Sequence, residues 1–400
     1  MRQTWRWFGP SDPVTVNDMI QAGVEGVVSA LHHIPNGEIW SPEEIRKCQT
    51  AIGLMQDGKP SGLHWEVVES LSVSEDIKTQ KGAWRRHIEN YKTSLTHLAA
   101  AEIKVVCYNF MPALDWTRTD LRWRLPNGAT CLRFDLIDFA AFDLFILARP
   151  GAIESYSSEI VEKSTERYGK MGHESRDALL KNIISGLPGA AKAYTLPDFQ
   201  AHLSEYRGIT TDRLRSHFID FLSEVIPHAQ TLGIKMCCHP DDPPFDLLGL
   251  PRIMSSELDY KQIVEAVDSP ANGITLCTGS LGARSDNDLP GMMQRLGKHV
   301  NFLHLRNVKR ESNEIFGSFY EAEHLDGETD MVEVVCSVLR EEQRRKEIGR
   351  TDWSIPFRPD HGHDILDDLK RRGHPGYPAI GRLKGLAELR GVYRALSKFY

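Results

Sequence analysis

The chain alternates short, continuously apolar runs with longer stretches whose apolar residues recur at three- and four-residue spacing. Eight such runs occur: TWRWFG (4–9), GVVSALHH (26–33), LHWEVVES (63–70), KVVCYNFMP (104–112), IKMCCHPDD (234–242), GITLCTGS (273–280), VNFLHLRN (300–307) and SIPFRPDHGH (354–363). Each is too short for a helix and too uniformly apolar for a strand with one wet face. Each therefore predicts a strand buried on both sides. Between them lie helical patterns. DPVTVNDMIQAG (12–23) opens on Asp-Pro and closes on Gly, and SPEEIRKCQTAIGLM (41–55) has a Ser cap and Pro at the first helical position. Residues 81–103 and 213–233 carry apolar stripes at helical spacing. Eight strands alternating with helices predict an α/β fold, a (β/α)8 TIM barrel forming one domain over residues 1–400.

Two stretches exceed a plain strand–helix unit. Residues 118–212 follow the fourth run and hold a hairpin pattern, RWRLPNGATCLRF, an apolar helical segment, DLIDFAAFDLFIL, and a polar helical segment up to residue 183. An insertion after a strand belongs on the barrel's C-terminal face, where it can roof a site. A smaller insertion, 311–352, follows the seventh run; within it EEQRRKEIGR reads as a solvated helix face.

Composition narrows the function. Among 400 residues, 41% are hydrophobic and 26% charged, an ordinary globular balance with ample material for a core. A net charge of −7 opposes nucleic-acid binding, which needs a basic face. No apolar run reaches a membrane span, no secretory leader is evident, and seven scattered Cys make no disulfide framework. The expectation is a cytoplasmic protein, and base rates favour a homo-oligomer, a dimer or larger.

Strand ends of a barrel converge on one pocket whatever their separation in sequence. The fifth run ends in His239, the sixth in Cys277, the seventh in His304 and Arg306, and the eighth in Arg358, Asp360, His361 and His363. Singly, each has a bland reading: a hydrogen-bonded core His, a small buried Cys, a turn Asp. Jointly, two imidazoles, a thiolate and a carboxylate at four successive strand ends suit a divalent transition ion with positions left open for substrate. Cys237 shares a side with His239 and is a further possible ligand, whereas Cys238 faces the helices. His32 and His33 end the second run, and His33 is the candidate substrate contact. His361, adjacent to Asp360, is expected to do chemistry rather than bind metal.

CCHPDDPPF (237–245), LCTGSLGAR (276–284), FLHLRNVKR (302–310), RPDHGH (358–363) and GYPAIGRLKGLAEL (376–389), with TWRWFGPSDPV and SALHHIPNGEIW, together resemble the D-mannonate dehydratase family of hexuronate degradation. The resemblance spans essentially the whole chain. It implies a xylose-isomerase-like barrel and a lyase that converts D-mannonate to 2-keto-3-deoxy-D-gluconate. It implies one Mn2+ or Fe2+ ion held by His239, Cys277, His304 and Asp360. It also implies an acid/base pair of His361 and Tyr377, with the roles of the two left open. Arg306 and Arg358 are candidates to hold the substrate carboxylate through paired hydrogen bonds, or else to form structural ion pairs. The chemistry agrees with the strand-end reading, because removing a proton α to a carboxylate creates charge that a divalent cation stabilises. A metal-dependent sugar isomerase, a dehydratase of another sugar acid and a non-catalytic sugar-acid sensor are the rival readings. The cysteine at 277 disfavours the isomerase.

Overall fold

The computed structural model describes residues 1–184, 195–371 and 373–400. Eight parallel strands close a barrel in the order β1 (Arg2–Arg6), β2 (Gly26–Ser29), β3 (Trp65–Glu69), β4 (Val105–Tyr108), β7 (Lys235–Cys238), β8 (Asn272–Cys277), β9 (Val300–Leu305) and β12 (Pro356–Pro359). Each overlaps one of the eight apolar runs. Closure is made where β1 pairs with β2 (Thr4 beside Gly26) and with β12 (Arg2 beside Pro356).

The two-sided burial has a simple cause. Residues of one parity fill the barrel: Val28, Val67, Val105, Cys107, Cys237 and Phe302 form a small closed cluster. Residues of the other parity, such as Val27, Val68, Val106, Met236 and Cys238, pack outward against the helices. Burying each of these aliphatic side chains contributes about 1.5–3 kcal/mol. The alternation thus places Cys237 in the barrel plug and Cys238 beneath the helices.

The four remaining strands, β5 (Asp120–Arg124), β6 (Thr130–Phe134), β10 (Val308–Arg310) and β11 (Phe319–Glu321), form a separate antiparallel sheet in the order β10-β11-β6-β5. The expected hairpin around Pro126-Asn127-Gly128 is β5–β6, and Gly128 takes the left-handed φ of +86° that its turn requires. Pairing of β11 with β6 (Phe319 beside Phe134) stitches the two insertions into one rim sheet.

Helix boundaries follow local chemistry. Thr15, not Asp12, caps the helix Val16–Ala22, because both Asp12 oxygens are taken by the Phe8 and Val14 amides. Ser41 caps Pro42–Gly53 as expected. Much of the 311–352 stretch is not an insertion. The helix Met331–Glu347 buries Val334, Val335 and Val338 as an ordinary outer-layer helix. Only part of EEQRRKEIGR is a solvated face: Arg344, Lys346 and Glu347 are exposed, but other charged residues of the stretch are buried. Glu342 is buried and takes the Met1 ammonium at 2.8 Å, and buried Arg345 donates to the Gly297 and Val300 carbonyls at 2.8 and 2.6 Å. In the 118–212 stretch the apolar segment is a short α-helix (Leu136–Ala141) continued by a π-turn (Phe142–Ile146). Helices Ser158–Lys170, His173–Ile184 and Leu196–Glu205 follow, and residues 185–194 lie outside the described residues. No described helix is long and apolar enough to cross a membrane.

Candidate active site

The parallel register sets Cys277 of β8 beside His304 of β9, and His304 beside Arg358 of β12. His239 follows β7 directly, and Asp360 follows β12. These side chains meet just above the barrel plug, where the His304 ring stands edge-on to Phe302 with centroids 4.7 Å apart. His239 Nε2 lies 3.1 Å from His304 Nδ1, Asp360 Oδ2 lies 3.6 Å from the same nitrogen, and Cys277 Sγ lies 3.9 Å from Asp360 Oδ2. The donor atoms of His239, Cys277 and His304 all fall within 4.8 Å of one another.

The donor set fits a divalent ion. His239 Nδ1 donates to the Pro240 carbonyl at 2.7 Å, which leaves its Nε2 as a bare lone pair aimed at His304 Nδ1. Separations of 3.1–3.9 Å are also the edge lengths of a coordination shell whose bonds are about 2.0–2.3 Å. Two nitrogens, a sulfur and a carboxylate oxygen suit a first-row transition ion.

Glu69, at the end of β3, completes the floor. Its carboxylate binds the Arg358 fork (Nε at 3.0 Å, Nη2 at 2.8 Å) and lies 3.3 Å from His304 Nε2. Arg358 also bonds Asp360 Oδ1. Burial alone would raise the Asp360 carboxyl, but Arg358 together with His361, His304 and Arg306 outweighs it and holds the group well below the usual carboxylate range. Burial would likewise raise Glu69, and Arg358 together with His304 and Arg6 holds it well below its usual range.

A second charge network lies beside the floor. Arg306 grips Glu321 with Nε and Nη2, both at 2.7 Å, and Asp242 with Nη1 at 2.7 Å. Arg118 bridges the same two acids, at 2.8 and 3.0 Å to Asp242 and 3.2 Å to Glu321. Burial would raise the Glu321 carboxyl, yet Arg306 and His361 bring it down to about 2. Arg306 and Arg358 are therefore both ion-paired, and both line the cavity.

The cavity above is walled by His239, Asp360, His361 and Tyr377, together with Trp116 and Asn109. His361 adopts a left-handed φ of +51°, uncommon for a side chain of its size, and its amide bonds Asp360 Oδ1 at 3.0 Å. This turn lifts the imidazole over the floor instead of into it. Its Nδ1 is 3.1 Å from Glu321 Oε1, and the Tyr377 ring meets it edge-on at 5.1 Å. Burial pushes the Tyr377 phenol up, first among several causes.

Of the residues expected from sequence, His239, Cys277, His304, Asp360, His361, Tyr377, Arg306 and Arg358 come together. His33 does not: its side chain is 62% exposed and pairs with Glu44 at 2.8 Å. Its neighbour His32 is half-buried, with its ring 5.4 Å from that of Phe8. His363 turns away and bonds the Glu321 carbonyl at 2.8 Å. The cavity wall comes from residues 109–116, and the 118–212 stretch reaches the site from behind through Arg118. Sequence reasoning missed Glu69, Arg118, Asp242 as an acceptor, and Glu321. Glu69 and Asp242 carried a signal, since they lie at the ends of the third and fifth apolar runs.

Comparisons with known proteins give the family of the whole chain. The D-mannonate dehydratase (UxuA) family matches residues 1–400. Mannonate dehydratase of Rhizobium meliloti (strain 1021) is 56% identical over 397 residues, covering 99% of this chain and 97% of that protein. Mannonate dehydratase of Saccharophagus degradans (strain 2-40) is 49% identical over 397 residues, covering 99% and 98%. Among solved structures, mannonate dehydratase from Streptococcus suis serotype 2 superposes with a TM-score of 0.75 at 32% identity, covering 100% of this chain and 94% of that one. D-Psicose 3-epimerase from Clostridium cellulolyticum H10, at 10% identity, a TM-score of 0.50 and 99% coverage of both chains, shares the fold alone.

Proposed function

The chain belongs to the D-mannonate dehydratase family, and from that premise we propose that it dehydrates D-mannonate to 2-keto-3-deoxy-D-gluconate with His361 as base and Tyr377 as acid. One observation supports the reading: the imidazole and the phenol meet on the wall of a cavity beside a cluster of His239, Cys277 and His304 donors that could hold a divalent ion.

His239, Cys277, His304 and Asp360 would hold the ion, and Mn2+ or Fe2+ is the expected occupant. When bound, it supplies the positive charge that stabilises an enediolate next to the substrate carboxylate. The residues of the chain do the rest. An imidazole is the side-chain base suited to neutral pH, and His361 takes the C2 proton. The electron pair of the C2–H bond first delocalises onto the carboxylate as the enediolate, and its return forms the C2–C3 double bond as the C3–O bond breaks. Hydroxide is a poor leaving group and needs a proton as it departs. Tyr377, whose phenol burial keeps protonated, donates it, and the fragment leaves as water. The resulting enol takes a proton at C3, loses the proton of its C2 hydroxyl and becomes the 2-keto acid. Arg306 and Arg358, paired yet lining the cavity, supply positive potential for the substrate carboxylate.

The test is a metal-restored assay. Protein stripped with chelator and kept reduced is given D-mannonate with Mn2+, Fe2+, Zn2+ or none, and 2-keto-3-deoxy acid is followed. Product with Mn2+ or Fe2+ alone supports the reading. Folded, metal-binding protein that makes no product with any ion refutes it in favour of another sugar acid or an isomerisation. Tyr377→Phe should lower kcat by about 10²–10⁴ while leaving metal binding intact.

A further inference from the structure

We propose that Glu321, delivered by β11 of the rim sheet, is the positioning residue that sets the tautomer and tilt of His361, so that Nε2 faces the substrate. This rests on the reading of His361 as base and names what makes it one.

The argument starts from an unsatisfied atom. His361 Nδ1 is buried and has no well-aligned hydrogen-bond partner. The acidic oxygen nearest to it is Glu321 Oε1 at 3.1 Å, which it meets off the ring's N–H axis. The other carboxylate in reach, Asp360 Oδ1, stands 3.8 Å from the opposite nitrogen, Nε2. A bent contact of this kind straightens with a small ring rotation, and catalytic hydrogen bonds often tighten only when substrate binds.

Glu321 cannot move to meet the ring. Its two oxygens are clamped by Arg306, and Oε1 also by Arg118. Its backbone carbonyl accepts from His363 Nε2. The ring must therefore adjust to the carboxylate, within limits set by Tyr377 against its edge. A fixed carboxylate accepting Nδ1–H leaves the Nε2 lone pair free to take a proton and stabilises the imidazolium that forms. That is the logic of a base oriented by a third group. The barrel thus supplies the base, and the rim sheet supplies its orienter.

The experiment compares Glu321→Gln, Arg118→Gln and His361→Asn in the full chain with Mn2+. Readouts are kcat, KM, Mn2+ affinity by electron paramagnetic resonance, and the primary isotope effect with C2-deuterated D-mannonate. Glu321→Gln should lower kcat by about 10²–10⁴, with KM and Mn2+ affinity within about threefold and a raised isotope effect, because proton abstraction slows. Arg118→Gln, which leaves both Arg306 bonds to Glu321 in place, should lose far less and shift the isotope effect less than Glu321→Gln does. An unchanged isotope effect in Glu321→Gln, or a kcat loss matched by lost Mn2+ binding, overturns the proposal and leaves Glu321 as a brace of the rim sheet. If Glu321→Gln does not fold, Glu321→Asp, which keeps the charge for Arg306, is read by the same criteria. His361→Asn with undiminished turnover instead refutes His361 as base, which separates failure of the functional reading from failure of this one.

Discussion

Gly376 is where a single methyl group should be felt by both stability and catalysis. Its φ is +79°, and a Cβ built there would lie 2.7 Å from Leu132 Cδ1 and 3.0 Å from His361 Cδ2. The backbone cannot retreat, because the Gly376 carbonyl accepts the Gly362 amide at 3.0 Å. Leu132 is fully buried in β6, so its methyl has little room to yield. A left-handed φ costs an alanine about 1–2 kcal/mol, and overpacking adds about 1–3 kcal/mol. Gly376→Ala should therefore destabilise the protein by roughly 2–5 kcal/mol. The clash that Leu132 does not absorb falls on the His361 ring, and a displacement of about 1 Å can cost on the order of 10² in rate. Urea denaturation gives the first number, and kcat at saturating D-mannonate gives the second. Gly376→Ala combined with Leu132→Val should recover part of both. A loss below about 0.5 kcal/mol with unchanged kcat would refute the claim that Gly376 spaces the ring from the rim sheet.

Arg358→Met would leave Glu69 and Asp360 as uncompensated buried charges. Metal-free protein should lose about 3–5 kcal/mol, and added Mn2+ should restore much of it, read as denaturation midpoints with and without the ion. Cys277→Ser should weaken Zn2+ binding more than Mn2+ binding in titration calorimetry, because the thiolate is the soft donor of the set. Glu75, which takes Lys78 and Tyr206, would be raised by burial, but Lys78 brings it to about 2. Its folded value is depressed, so its contribution is full above about pH 4.5 and is lost as pH falls from there towards 2. On the order of 2–3 kcal/mol should disappear over that window, and Glu75→Gln should flatten the acid limb of the stability curve.

The eight-stranded barrel was legible in the sequence because strands buried on both faces read as short, largely apolar runs, and eight of them alternate with helical patterns. Four strand ends then named His239, Cys277, His304 and Asp360 before any coordinate, since parallel strands of one barrel have no choice about where their ends meet. Glu69 obeyed the same rule at the third run and could have been read by it.

What only the tertiary structure decided is the chemistry of charges. Glu342 and Arg345 sit in a run as polar as any solvated helix, yet they bury to hold the chain's first residue and two carbonyls. Arg118 and Glu321 lie about 200 residues apart and come from different insertions. They meet because β11 pairs with β6, a register no local pattern encodes. His33 shows the converse, a promising residue at a strand end that turns outward to Glu44. The reason is general. Hydrophobic burial depends on a residue's own side chain and period, so one sequence records it. A buried charge is tolerated only where its partner arrives, and the partner's arrival is a property of the fold.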